Sequence, residues 1–174
     1  MSTNLSRRNW YTLAVVALAV SGATAAFAAS TTSNLSVTAT VSANCTISTV
    51  AVAFGAYDPI VTNAAADLTG SGTVTVTCTS GSAATVTLGQ GANAAGGSTD
   101  AVPLRQMASG AERLAYTLYS DAPRSVVWGN TAGTDVDHVG TGAAANLTVY
   151  GSVAAAQNVP AGAYADTVVA TVNF

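Results

Sequence analysis

The chain ends on the segment Ala165-Asp166-Thr167-Val168-Val169-Ala170-Thr171-Val172-Asn173-Phe174. From Val168 onward every second residue is apolar and several residues are β-branched, which is the pattern of a half-buried β-strand. Because no later residue of this chain would cover the far edge of that strand, we expect an open edge there. Open strand edges are templates for pairing with other chains.

A second alternating segment lies near the other end of the sequence. Its apolar positions are Leu35, Val37, Ala39 and Val41, and Ser or Thr occupies the positions between them. This spacing predicts another strand with one apolar face. A strand at one end of the chain and an open edge at the other together predict head-to-tail polymerisation, because each copy could supply what its neighbour lacks.

The first 28 residues have the composition of a cleaved signal peptide. Arg7 and Arg8 form a basic start, residues 13–20 are apolar, and Ala26-Phe27-Ala28 has the small-x-small pattern of a cleavage site. We therefore expect residues 1–28 to be removed during export. The apolar run is shorter than the roughly 20 residues of a membrane-spanning helix, so no membrane span is expected in the mature chain.

The charged residues after position 28 are few and mostly acidic. They comprise three arginines, seven aspartates and one glutamate, which gives a formal net charge of −5 without any lysine. Nucleic-acid binding depends on Lys and Arg that neutralise phosphates, so no nucleic-acid partner is expected. Only 7% of the whole chain is charged, so uncharged polar and small residues must form most of the surface. The length fits one domain with its own core.

Both cysteines, Cys45 and Cys78, follow the predicted signal peptide. In an exported protein an even number of cysteines indicates a disulfide. A metal or redox pair would need a C-x-x-C spacing or a second ligand cluster, and the sequence has neither. We therefore predict a Cys45–Cys78 disulfide, which closes a loop of about 33 residues and contributes about 4 kcal/mol.

Most apolar segments between these features alternate with period two and are separated by Gly or Pro turns, which predicts an all-β sandwich. Besides the two terminal segments, the predicted strands are residues 45–52, 72–79, 85–88, 104–107, 114–119, 126–128 and 147–153. Residues 89–100 and 129–142 lack periodicity and are predicted as loops, the first of them mobile and exposed. The alanine run at 153–157 is compatible with one helical turn.

The sequence contains no clear catalytic or metal-binding constellation. Its one histidine, His138, lies beside Asp135 and Asp137 in a polar segment, which is either a metal or general-base site or a solvated turn. Calcium would need six to eight oxygen ligands, and no further carboxylates cluster in this segment. We therefore interpret it as a solvated turn. No Gly-x-Ser-x-Gly elbow is present, and we predict no enzyme activity, no metal and no cofactor.

Trp128 is the only tryptophan after the predicted signal peptide. It is either an exposed platform for a sugar or a surface, or a residue of the core. Because large aromatic rings suit a half-buried strand, we favour the core.

Four stretches follow one another in an order typical of a known family. They are Val41-Ser42-Ala43-Asn44-Cys45-Thr46-Ile47, Gly72-Thr73-Val74-Thr75-Val76-Thr77-Cys78, Tyr116-Thr117-Leu118-Tyr119-Ser120-Asp121 and the ending that starts with Gly162-Ala163-Tyr164-Ala165-Asp166. The last is similar to a Gly-x-Tyr-x-Asp-x-apolar ending. The chain resembles the spore coat protein U domain family, which includes the subunits of archaic (Csu-type) chaperone–usher pili.

The resemblance implies an incomplete immunoglobulin-like β-sandwich that is completed by a donor strand from a neighbouring subunit. Residues 29–42 would be the N-terminal donor strand extension, and residues 43–174 the spore coat protein U, or pilin, domain. The donor side chains would be Leu35, Val37, Ala39 and Val41. The acceptor groove beside the disulfide would be lined by one face of the last strand, either the alternate face or Val168, Ala170, Val172 and Phe174.

The same resemblance implies the partners and the location. A periplasmic chaperone would lend a strand first, and an outer-membrane usher would then exchange it for the extension of the next like subunit. The product would be a homopolymeric pilus at the cell surface that supports attachment and biofilm formation. Alternatively, the donor segment folds back onto its own domain and the protein is a self-complemented secreted coat or surface-binding protein. A hydrolase that uses His138 and Asp137 is a third, less favoured hypothesis.

Overall fold

The computed structural model describes residues 27–174, and these form an all-β structure in two sheets without a helix. The prediction of an all-β sandwich is therefore confirmed. Residues 1–26 of the predicted signal peptide at 1–28 lie outside the described residues. The eight strands are β1 (Cys45–Val50), β2 (Leu68–Cys78), β3 (Ala83–Leu88), β4 (Arg105–Ser109), β5 (Glu112–Tyr119), β6 (Val136–Val139), β7 (Ala144–Val153) and β8 (Ala170–Asn173).

The larger sheet has the strand order β1-β2-β7-β5-β4, and the smaller sheet has the order β6-β3-β8. Every pairing is antiparallel, and the longest ladder joins β2 to β7 from Leu68 opposite Val153 to Thr77 opposite Ala144. The chain crosses repeatedly from one sheet to the other, as in immunoglobulin-like sandwiches. These crossings place the faces of both sheets against one shared core.

Alternation in the sequence becomes alternation in burial. In β2, Val74, Val76 and Cys78 are buried, whereas the threonines between them remain partly exposed. Trp128 packs in the same core with none of its surface exposed, and its Nε1 donates a hydrogen bond to the Val86 carbonyl at 2.9 Å. The prediction that Trp128 is a core residue is therefore confirmed.

Cys45 and Cys78 form the expected disulfide. They lie directly opposite each other in the β1–β2 ladder. The bond joins the first residue of β1, an edge strand, to the last residue of β2, and so fixes one end of that edge.

Two local predictions are wrong. Residues 126–128 do not form a strand, and only Val127 makes an isolated bridge, to Tyr119. The alanine run at 153–157 is not helical. Its backbone is instead held by distant side chains, because the Ala154 carbonyl accepts a hydrogen bond from the Tyr57 hydroxyl at 2.7 Å.

The predicted loop at 129–142 contains a strand that periodicity did not reveal. β6 pairs with β3 at the edge of the smaller sheet, with His138 opposite Ala84. Its sequence, Val-Asp-His-Val, carries polar residues at both central positions, so the apolar pattern that identifies strands is absent.

The segment before β1 has a different character. Residues 27–44 belong to no strand and all of their side chains are exposed. The chain divides into two units, residues 1–39 and 40–174, and all eight strands lie in the second. Residues 27–174 contain no helix long and apolar enough to cross a membrane.

Candidate functional site

The sandwich is open along one side, between the edge strands β1 and β8. Within the described part of the chain, β1 pairs only with β2, and β8 pairs only with β3. The two strands approach each other but form no ladder. No described strand therefore joins the two sheets on this side.

The segment leading into β8 is bonded along one edge only. Ala165 exchanges backbone hydrogen bonds with Ala108, and the carbonyls of Thr167 and Val169 accept from backbone N–H groups at 3.0 and 2.9 Å. Successive residues of an extended strand direct their N–H and C=O to opposite edges. The backbone groups of Asp166 and Val168 therefore point to the open side, where they could pair with an incoming strand.

A groove lies behind this open edge and has two lobes. The strand lobe, of about 400 Å³, lies between the end of β1 and residues 164–170. The loop lobe, of about 600 Å³, lies between residues 53–59 and 159–162. Four side chains line both lobes, and we call them the ridge: Val52, Phe54, Met107 and Tyr164.

The last segment presents its even-numbered residues to the interior. Val168 and Ala170 line the strand lobe, and Val172 packs against the core opposite Val86. Val169 on the other face is 67% exposed. Phe174 follows β8, is 58% exposed and lines neither lobe. The sequence left open which face points inward, and the structure places the even-numbered face there.

Asp166 interrupts this apolar row with a carboxylate whose hydrogen bonds are made inside the domain. Its Oδ2 accepts from the Tyr116 hydroxyl at 2.6 Å, and its Oδ1 accepts from the backbone N–H and Nδ2 of Asn93 at 3.1 and 2.9 Å. Burial, reinforced by the hydrogen bond to Asp166, raises the pKa of Tyr116 above its ordinary value. Gly91 has a φ of +91°, and a Cβ there would overlap the Asp166 carboxylate. Residues 89–100, expected to be a mobile loop, are thus tied to the groove.

A buried cation ties the two sheets together beside the groove. Arg105, the first residue of β4, is only 1% exposed. Burial lowers the pKa of its guanidinium to about 10, so the group stays charged at neutral pH. Its Nε and Nη2 donate at 2.7–2.9 Å to the carbonyl oxygens of Leu88, Gly89 and Trp128. The larger sheet is thereby joined to the end of β3 in the smaller sheet.

Two side chains of the ridge, Phe54 and Tyr164, are held in place by specific contacts. A Cβ at Gly70 or Gly151 would come within 3.0 or 2.6 Å of the Phe54 ring, so the ring rests on the backbone of β2 and β7. Phe54 also meets Tyr116 edge-on, with 6.1 Å between ring centroids. The Tyr164 hydroxyl donates to a backbone carbonyl at 2.8 Å. The ridge was not among the predicted site residues, although glycines inside two long strands are a signal of close approach.

The predicted donor side chains lie in the exposed N-terminal segment. Leu35, Val37 and Val41 are 88%, 84% and 82% exposed, and Ala39 is exposed as well. Residues 29–43 contain no charged side chain. A row of aliphatic side chains that stays in water is an unusual feature, since burying each large one would be favourable by about 1.5–3 kcal/mol.

The candidate polar site around His138 is not assembled. His138 and Asp137 are successive residues of β6, so their side chains point to opposite faces of the sheet. His138 is partly buried and its Nε2 is shielded from solvent, so the expected solvated turn is wrong at this residue. Asp135 accepts a hydrogen bond from the Gly133 N–H at 2.9 Å. Across residues 27–174, no three His, Cys, Asp or Glu side chains cluster in a way that could hold a metal ion.

Comparison with known proteins agrees with this architecture. The family model of the Spore Coat Protein U domain matches residues 31–171. The sequence is 47% identical over 173 residues to Protein U of Myxococcus xanthus, and the alignment covers 92% of this chain and 97% of that protein.

Among solved structures, the chain is similar to one chain of the CsuC–CsuE chaperone–tip adhesion subunit pre-assembly complex from the archaic chaperone-usher Csu pili of Acinetobacter baumannii. The TM-score is 0.55 at 21% sequence identity, and the match covers 78% of this chain and 40% of that chain. The present chain thus matches less than half of that chain's length. The shared fold confirms the expected immunoglobulin-like sandwich.

Proposed function

The chain belongs to the spore coat protein U domain family, and from that premise we propose that it is a structural pilus subunit that polymerises by donor-strand exchange. The extension at residues 29–42 of one copy would insert between β1 and β8 of the next, and the domain at 43–174 would accept it. Leu35, Val37, Ala39 and Val41 would enter the groove. Val168 and Ala170 would contact the donor directly, and Val172 would support them by packing against the core.

The observation that carries the proposal is the groove behind an open strand edge. The groove combines two lobes of about 400 and 600 Å³, which share the apolar side chains of Val52, Phe54 and Met107, with unpaired backbone groups at Asp166 and Val168. A strand with one apolar face satisfies both features at once, because its backbone pairs with the edge and its alternate side chains fill the lobes. The exposed segment at residues 33–42 has that pattern.

The free energy available from such insertion is substantial. Each large aliphatic side chain that moves from water into the groove would contribute about 1.5–3 kcal/mol, and Ala39 less. A slip of one residue would turn the whole apolar row to solvent, so the alternation also selects the pairing. Head-to-tail insertion is a heterologous contact that does not close, and it therefore builds a filament.

The partners are those that the resemblance to chaperone–usher pilus subunits implies. An open groove with an unpaired edge would aggregate in transit, so a periplasmic chaperone that lends a strand would precede the exchange at an outer-membrane usher. The polymer would lie at the cell surface and support attachment and biofilm formation. We assign the chain no enzymatic role, because the donor strand would fill the groove and the carboxylates that line the groove are held in structural hydrogen bonds.

Removal of residues 29–41 tests the proposal. The mature chain should form oligomers that survive detergent without heating and collapse on boiling, and the shortened chain should not. A synthetic peptide of residues 29–43 should stabilise the shortened chain, by about 2.7 kcal/mol when its concentration is 100 times the dissociation constant. A matched peptide with Ser at positions 35, 37 and 41 should have no effect. A mature chain that remains a stable monomer would contradict polymerisation.

A second candidate is a self-complemented coat protein. It is favoured by the family's description as a spore coat domain and by the 47% identity to Protein U over nearly the whole chain. In that case residues 29–42 would occupy the groove of their own domain. The mature chain would then be monomeric, and deletion of residues 29–41 would destabilise it in the absence of any partner.

A further inference from the structure

Resting on the proposed function, we infer that the groove accepts the donor segment in a single register, which is set by the small residue Ala39 lying over the ridge. The register specifies which donor residue meets which part of the groove, and it follows from a match between two patterns. The groove is divided by large side chains, of which Phe54 and Tyr164 are held in place, and the donor row is interrupted by one small residue.

The donor row reads large, large, small, large at Leu35, Val37, Ala39 and Val41. The groove reads, in one direction, strand lobe, ridge and loop lobe. Inward-facing residues of a strand are about 6.6–6.8 Å apart, so a large residue on each side of Ala39 falls into a different lobe. Leu35 and Val37 share the strand lobe, and Val41 enters the loop lobe.

The ridge cannot yield to a larger residue at this point. Phe54 rests on the backbone at Gly70 and Gly151, and its edge meets Tyr116, whose hydroxyl is bonded to Asp166. Movement of the ring would therefore require a shift of two strands or the loss of a buried hydrogen bond. A methyl group is the side chain of the donor row that needs the least space above the ridge.

The charges of the two partners are also compatible. The donor at 29–43 has no charged side chain, and the two carboxylates that line the groove are already bonded within the domain. Asp166 accepts from Tyr116 and Asn93, and the Oδ1 of Asp58 accepts from backbone N–H groups at 2.9 and 3.1 Å. An uncharged strand can thus be buried in the groove without leaving a charge unpaired.

The direction of the donor follows from the position of β1. The extension joins β1 at Cys45, and this end of the domain also holds Cys78 and the end of β8. If a neighbour's extension left the groove at the same end, both neighbours of a subunit would crowd there. An antiparallel donor leaves at the loop lobe instead, which places one neighbour at each end of the subunit.

Antiparallel pairing with Ala39 over the ridge defines the register. Ala39 lies opposite Tyr164, Val37 opposite Asp166, Leu35 opposite Val168, and Val41 opposite Gly162. Opposite residues in an antiparallel pair share a face, so the intervening donor residues point outward. Ser36 and Thr167 then face each other on the outer surface as a pair without mutual backbone hydrogen bonds. Such pairs have Cα atoms about 4.5 Å apart, close enough for a disulfide.

Disulfide mapping on the outer face tests the register without altering the groove. The mature chain with Ser36→Cys and Thr167→Cys should form covalent oligomers that survive boiling without reductant, at least tenfold more than the matched Ser36→Cys, Val169→Cys variant. Oligomers linked equally or better in the second variant would overturn the register. An internal crosslink within monomers would instead favour self-complementation and contradict the proposed function.

A bulk test supplies a second measurement. Ala39→Leu should reduce detergent-stable oligomers at least tenfold, whereas Thr40→Leu adds similar bulk to the outward face and should leave them within twofold of wild type. Met107→Ala removes part of the ridge and should restore assembly to the Ala39→Leu chain. Normal assembly of Ala39→Leu would refute the role of the ridge while leaving donor-strand exchange intact. Absence of oligomers from the wild-type chain would refute the exchange itself.

Discussion

The closed and open sides of the sandwich are built from the same kind of sequence but differ in burial. On the closed side Val76, Val86 and Trp128 have no exposed surface. On the open side Val168 and Ala170 alternate in the same way and remain only partly buried. The difference arises from neighbouring strands, because the closed side has cover from both sheets and the open side has none along one edge. An alternating pattern therefore shows that one face of a strand can be buried, but the face is buried only if a neighbouring strand covers it.

Polar groups on the two sides show the same contrast. In the buried core, the Arg105 guanidinium donates hydrogen bonds to the backbone carbonyls of Leu88, Gly89 and Trp128. Along the open edge, the backbone groups of Asp166 and Val168 make no hydrogen bond within the described chain. Unpaired backbone groups are tolerated in water but costly when buried. The open side can therefore be buried only by a strand whose backbone pairs with these groups.

The largest expected effect comes from breaking the closed side. Trp128→Ala should lower the free energy of unfolding by about 3–5 kcal/mol, because it leaves a large cavity and removes the hydrogen bond to Val86. Urea unfolding followed by circular dichroism measures the loss. Trp128→Phe, which keeps most of the volume, should lose clearly less. Equal losses in the two variants would mean that packing is not what Trp128 contributes.

Removal of the disulfide should have the next largest effect. Replacing Cys45 and Cys78 with Ser should lower the free energy of unfolding by about 2–4 kcal/mol, chiefly because the unfolded chain gains freedom across 33 positions. The bond fixes β1 at the open side, so assembly should weaken as well. Thermal unfolding of the double variant and of reduced wild type should agree. A stable double variant that assembles normally would show that the edge strand needs no covalent anchor.

The polar contact behind the groove should contribute less than either. Tyr116→Phe removes the donor to the Asp166 carboxylate and should cost about 1.5–3 kcal/mol in the free energy of unfolding. Because the folded pKa of Tyr116 is raised, its contribution is complete below pH 10 and is lost as the pH rises above 10. The difference in stability between wild type and Tyr116→Phe should therefore shrink above pH 10. A difference that stays constant would indicate that the hydroxyl is ionised equally in both states.

The smallest effect should come from the open side, and it should depend on the donor. Val168→Ala should cost less than about 1 kcal/mol in the chain without residues 29–41, because Val168 is only partly buried there. With the peptide of residues 29–43 bound, the cost should rise. The outward-facing Val169→Ala should change little in either state. Calorimetric titration of the peptide provides the measurement. Equal affinities of the peptide for the two variants would show that Val168 does not contact the donor.

Local sequence patterns predicted the strands whose apolar alternation is visible without knowledge of the neighbouring strands. β2 and β5 were found because their apolar residues alternate regardless of what covers them. β6 was missed because its central Asp137 and His138 hide a strand that exists only through pairing with β3. The contact that holds residues 89–100 against the groove was not predicted for a similar reason. Asn93 is held by Asp166, 73 positions away, and no local pattern indicates such a contact.

The sequence by itself determined the strand-rich class, the disulfide and the two alternating segments, because period, composition and cysteine number are local or countable properties. Only the tertiary structure decided which face of the last strand points inward, because opposite residues of a ladder share a face and the β3–β8 register sets Val172 opposite the buried Val86. The ridge likewise exists only in the folded chain, since Phe54, Met107 and Tyr164 come together from three distant segments. The groove depends on the distance between strands, and that distance is set by contacts between residues that are far apart in the sequence.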